Sequence, residues 1–130
     1  ILKHIAEGKK VGIVDFTRGE LGTRGTATTR DEEAKDSATI LGLHVRENLR
    51  FKDGFFKNDE EHQLEVIKMV RKYQPEIILT NALHDRHPDH GRAGDLANDA
   101  IFLSATEINS SIYSRSIHCA RYYCRHIRLH

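Results

Sequence analysis

Two histidines three residues apart, His87 and His90, close a segment dense in polar chemistry: Asn81-Ala82-Leu83-His84-Asp85-Arg86-His87-Pro88-Asp89-His90. An apolar run, residues 76–80, precedes it, and Pro88 is well placed in the first turn of a helix reaching to about residue 103. If His90 sits in that first turn, both imidazoles can point the same way, toward the strand end where α/β proteins place ligands. One ring could bind a metal ion while the other contacts a substrate. Spacing alone is weak support, because nine histidines in 130 residues produce on the order of 0.6 such pairs by chance. On these residues alone, a helix start merely capped and solvated by Asp85, Asp89 and the histidines carries about equal weight.

The elements that must position this segment can be read from the apolar spacing. Ile1, Leu2 and Ile5 share a helical face, Gly8 is a plausible C-cap, and residues 11–16 form a short apolar run suited to a strand buried on both faces. Residues 17–29 are rich in glycine and threonine without apolar period, so they read as a loop leaving the strand end. A helix is predicted over residues 30–41, acidic early (Asp31, Glu32, Glu33) and stopped at Gly42. Weak alternation over residues 44–51 predicts a second strand, followed by the turn residues Lys52-Asp53-Gly54. Asn58 or Asp59 can cap a helix that carries Leu64, Ile67, Met69, Val70 and Tyr73, and Pro75 ends it before a strand predicted at residues 76–80. The alternating order implies an α/β fold with a mostly parallel sheet flanked by helices.

Length and composition narrow the classes of function. A chain of 130 residues with 38% hydrophobic content supports one small domain. Twenty basic residues against nineteen acidic ones give no bulk electrostatic reason to expect nucleic acid or an anionic membrane as partner. There is no apolar run of about 18 residues and no signal-peptide pattern, which leads to the expectation of a cytoplasmic protein. From Ser104 onward the character changes: four arginines, no lysine, one acid, and both cysteines, Cys119 and Cys124. Residues 104–130 therefore read as a tail distinct from the domain at 1–103, disordered or non-native.

Two motifs in order sharpen the functional reading. Asp85-Arg86-His87-Pro88-Asp89-His90-Gly91 resembles the second signature of the LmbE/PIG-L deacetylases, and Thr17-Arg18-Gly19-Glu20-Leu21-Gly22-Thr23-Arg24-Gly25-Thr26 resembles the loop after their second strand. The similarity extends over residues 1–103, includes Arg30-Asp31-Glu32-Glu33-Ala34, and looks closest to the branch that deacetylates N-acetylglucosaminyl-malate in bacillithiol biosynthesis. The resemblance implies a Rossmann-like fold and zinc-dependent hydrolysis of the N-acetyl group of a small N-acetylglucosaminyl conjugate. It makes His90 a zinc ligand, sets His87 against the scissile amide, and has Asp89 orient the histidine. Arg30 corresponds to a substrate-contacting arginine. Glu20, Arg24, Asp85 and Arg86 are further substrate-side candidates, evenly matched by a reading as solvated loop charges.

The chemistry suits the assignment, since amide hydrolysis needs a nucleophile at neutral pH and zinc lowers the pKa of bound water to about 7. The family's His-Pro-Asp-Asp motif is absent before Ile1, which leaves one matched ligand of three. The expectation is a domain lacking its first strand, inactive or nearly so alone, with an exposed sheet edge and helix surface that favour association, homo-oligomers included. Other readings stay open. A non-catalytic remnant or partner subunit would keep the fold without the chemistry. A nucleotide-binding module could use Gly19, Gly22 and Gly25, although their spacing is neither G-x-G-x-x-G nor a P-loop. The tail residues His118, Cys119, Cys124, His126 and His130 make a poor structural zinc pattern.

Overall fold

The structure, a computed structural model, describes residues 1–106. Apart from Ser104, Ala105 and Thr106, the atypical tail lies outside the described residues, as do its cysteines and histidines. The chain divides into two compact units, Ile1–Phe55 and a second that begins at Phe56.

The first unit runs α1 (Leu2–Ala6), β1 (Gly12–Thr17), α2 (Ala27–Leu41) and β2 (Val45–Phe51). β1 and β2 pair in parallel, with Gly12 opposite Val45 and Asp15 opposite Asn48, so α2 is the crossover between them. This is the α/β architecture with a parallel sheet and flanking helix that the sequence predicts. β1 is half-buried rather than buried on both faces, because the sheet has two strands among the described residues. α2 begins three residues earlier than predicted, at Ala27, because Thr26 caps it: its side chain accepts the Thr29 N–H at 3.1 Å. Gly42 ends it in the left-handed conformation at φ 70°.

Arg46 ties α2 to the sheet. Its guanidinium donates to both Asp15 oxygens, at 2.7 and 3.2 Å, and to the Ala34 carbonyl and the Ser37 hydroxyl of α2, at 3.2 and 2.5 Å. The hydrogen bonds to Asp15, and then its charge, hold the Arg46 pKa above its ordinary value. At the C-terminal end of the strands the register slips between Asp15 and Thr17, which is opposite Phe51. Arg50 takes a left-handed φ of 56° there, and Asn48 stitches the irregularity by accepting from Arg50 N–H and donating to the Thr17 carbonyl, both at 2.8 Å.

The second unit is a helical pair, α3 (Glu60–Tyr73) and α4 (Pro88–Ser104). Asp59 caps α3 by accepting the His62 N–H at 3.2 Å, and Gln74 ends it in the left-handed region just before Pro75. Val66, Ile67 and Val70 from α3 and Leu96, Ala97, Ala100 and Ile101 from α4 are buried with Phe56, and form most of the core among the described residues. Leu96 is wholly buried, and a side chain of this kind contributes roughly 1.5–3 kcal/mol.

The strand predicted at residues 76–80 does not form. The segment joins no ladder among the described residues, and Ile77 and Leu79 are 51% and 74% exposed. An apolar β-branched run becomes a strand only where a neighbour takes its N–H and C=O groups, and the described residues supply none here.

Candidate active site

The chain reaches the dense polar segment along the surface of α4. A Cβ on Gly94 would stand 2.9 Å from the Asn81 carbonyl oxygen, and one on Gly91 3.1 Å from that of Leu83. Those two glycines let the backbone of residues 81–83 lie against the helix and so set where residues 84–90 begin.

His87 is the N-cap of α4, and Pro88 follows at the first helical position. The His87 ring does the capping, with Nδ1 accepting the Asp89 backbone N–H at 3.2 Å. A neutral imidazole that accepts at Nδ1 carries its proton on Nε2, so His87 presents an N–H donor on its other edge. Asp85 holds the second histidine: its Oδ2 lies 3.3 Å from His90 Nδ1, while Oδ1 accepts the His87 backbone N–H at 2.8 Å. With Nδ1 of His90 turned to the carboxylate, the lone pair on Nε2 is left for a metal ion or a proton. The His87 backbone N–H and the His90 ring hold the Asp85 carboxyl below the usual carboxylate range. The two rings stack with centroids 4.8 Å apart and planes 25° from parallel, and both are exposed.

Asp89 is buried, and its Oδ1 accepts from Arg92 Nη1 at 2.6 Å. Its backbone N–H meets the His87 ring by way of the cap. Arg86 is exposed on the same loop.

Glu20, Arg24 and Arg30 belong to the first unit. Arg18 and Asp31 form a bidentate pair that joins the start of the loop to α2 and keeps the Asp31 carboxyl below its ordinary range. Arg30, from the first turns of α2, donates through Nη2 to the Arg24 carbonyl at 2.9 Å. Its guanidinium rests on the glycine turn, where a Cβ on Gly22 would stand 2.2 Å from Nη2. Arg24 is exposed, and Glu20 accepts the Asp53 backbone N–H at 2.8 Å. The sequence reading missed Asp53, Asn48 and Gly94. Their signal was present only as turn chemistry at residues 52–54, a polar residue inside a strand, and a glycine inside a helix.

Zinc was expected at His90. The fit is partial: Asp85 orients the His90 imidazole as metal-bound histidines are oriented, but no three His, Cys, Asp or Glu side chains gather as a metal-binding group among the described residues.

The diacetylchitobiose deacetylase of Thermococcus kodakarensis is 34% identical over 104 residues, covering 77% of this chain and 39% of that protein. Among solved structures, the conserved protein TT1542 from Thermus thermophilus superimposes with a TM-score of 0.84 at 34% identity, over 93% of this chain and 55% of that one. The N,N'-diacetylchitobiose deacetylase from Pyrococcus horikoshii, complexed with its inhibitor MPG, gives 0.77 at 27% identity over 85% and 45%. GalB, the 4-carboxy-2-hydroxymuconate hydratase from Pseudomonas putida KT2440, also gives 0.77, at 25% identity over 93% and 55%. The chain thus spans about half the length, or less, of these relatives. Residues 1–101 match the PIG-L family, GlcNAc-PI de-N-acetylase, which makes the chain a member of that family.

Proposed function

We propose that this chain carries part of the machinery of a zinc-dependent N-deacetylase acting on a small N-acetylglucosaminyl conjugate, N-acetylglucosaminyl-malate being one such substrate, in the cytoplasm. The observation that carries the reading is the Asp85–His87–His90 arrangement, in which each ring has one nitrogen engaged and the other available. Family membership and the diacetylchitobiose deacetylase relative support the substrate class.

In this reading His90 would offer Nε2 as one zinc ligand, and a metal held there would supply the chemistry of water activation. His87 donates its Nε2–H to the amide carbonyl oxygen, a bond that strengthens as negative charge develops there. Asp89 and Pro88 keep that ring at the helix start through the cap, and Asp85 sets the tautomer of His90. Arg30 holds an anionic or hydroxyl group of the substrate, with Glu20, Arg24, Asp85 and Arg86 as lesser contributors. In this reading the described residues provide one, His90, of the three protein ligands a catalytic zinc site usually needs.

The test is acetate release by the protein purified from its source, with zinc, from N,N'-diacetylchitobiose and from N-acetylglucosaminyl-malate. Stoichiometric acetate and free amine are expected. Hydration of 4-carboxy-2-hydroxymuconate, an enol tricarboxylate, without acetate release would move the site to the activity named for the hydratase neighbour, and neither reaction would sink the catalytic reading.

A further inference from the structure

We propose that Asp53 is a positioning residue for the guanidinium of Arg30, acting through the turn from Gly19 to Gly22. The inference rests on the reading above only in taking Arg30 as a substrate-side group.

Asp53 lies beyond β2, more than thirty residues from the loop it holds. Its carboxylate accepts the Thr17 hydroxyl at 3.2 Å and the Leu21 N–H at 3.0 Å, while its own N–H donates to Glu20 Oε1 at 2.8 Å. Thr17 Oγ1 in turn accepts the Gly19 N–H at 3.2 Å, and Gly22 N–H closes the turn onto the Gly19 carbonyl at 3.0 Å. These ties on the turn run to Asp53 directly or through one intermediate group, apart from the turn's own closing bond.

Arg30 depends on the turn for its seat. A Cβ on Gly19 would stand 3.1 Å from Arg30 Cδ, and one on Gly22 2.9 Å from Cζ, so the missing side chains make room for the arginine. Arg30 Nε is buried without a hydrogen-bond partner, and one Nη2 bond to the Arg24 carbonyl anchors the far end. With so few bonds of its own, the guanidinium lies where the turn leaves space, and a shifted turn releases it. The Arg18–Asp31 pair restrains the residue before the turn and not the turn itself, so it does not substitute for Asp53.

Solvent exchange of the Arg30 Nε–H, read by nitrogen-proton correlation on the labelled chain and assigned with Arg30→Lys, tests the inference. The Arg46 Nε–H, bonded to Asp15 within the same unit, is the internal control. In Asp53→Ala the Arg30 proton is expected to exchange at least about fivefold faster, with Arg46 unchanged. In Asp53→Asn exchange stays within about twofold of wild type, because a carboxamide can still accept from Leu21 N–H and can donate to Thr17 Oγ1. Unchanged Arg30 exchange in Asp53→Ala would overturn the role. So would equal acceleration at Arg46, which marks general loosening, or an Asn variant behaving like Ala. The signal is read without sugar, so it is separable from the substrate reading: that reading fails on its own if N-acetylglucosaminyl-malate leaves the Arg30 resonance unmoved.

Discussion

His87 and His90 are three residues apart and do different work, and substitution should separate them. His87 caps the helix with Nδ1 and offers Nε2–H, whereas His90 gives Nδ1 to Asp85 and keeps a lone pair on Nε2. His87→Ala in the protein from its source should lower kcat by about 10²–10³, the loss typical of a removed oxyanion donor, with zinc content retained. His90→Ala should lower zinc content and activity together. Zinc by elemental analysis beside kcat checks both, and an unchanged turnover in His87→Ala would take that ring away from the reacting carbonyl.

At the scale of the element, two ties can be read as stability. Arg46 and Asp15 are mostly shielded, with side chains 23% and 27% exposed, and Arg46 also bonds α2. Arg46→Ala leaves Asp15 without this cation and removes its hydrogen bonds from the sheet to α2. The expected loss is about 2 kcal/mol, between the values for surface and buried pairs. Urea unfolding measures it, and a change within experimental scatter would mean that packing alone holds α2.

The cap of α3 is sensitive to acid. The His62 ring and then its backbone N–H hold the Asp59 carboxyl below its ordinary range. A lowered carboxylate contributes stability that is fully present above its unfolded value of about 3.9 and is lost as pH falls through the folded value. α3 should therefore be insensitive to Asp59 titration from neutrality to about pH 5 and weaken below that. Asp59→Asn keeps a capping oxygen and removes the titration. The difference in thermal midpoint between wild type and this variant should shrink from about pH 6 to about pH 2.5, and a constant difference would place the acid sensitivity elsewhere.

At the scale of the whole molecule, burial is unevenly distributed. α1 and α2 contain no buried residue, while α3 and α4 carry most of the core among the described residues. Local opening is cheapest where least apolar surface is buried, so amide exchange should be slowest in Val66–Val70 and Leu96–Ile101 and fastest in α1 and the first turns of α2. Mass-resolved hydrogen exchange reads this directly, and uniform protection across both units would contradict it. No helix among the described residues is long and apolar enough to cross a membrane.

The sequence by itself determined what short-range chemistry decides. Asp59 and Pro75 bracket α3, Gly42 ends α2, Pro88 opens α4, and the two motifs carry the family resemblance matched over residues 1–101. Capping, φ restriction and apolar period act over a few residues, so they are visible in the chain alone. Tertiary structure decided what depends on distant groups. Residues 76–80 have every mark of a strand and form none, because a strand exists only with a neighbour. Asp53 looked like turn chemistry and holds a loop some thirty residues upstream, and the Asp89 carboxylate accepts from Arg92 while its backbone N–H meets the His87 ring. Which partner a polar side chain takes is set by the fold's geometry, and no local pattern encodes it.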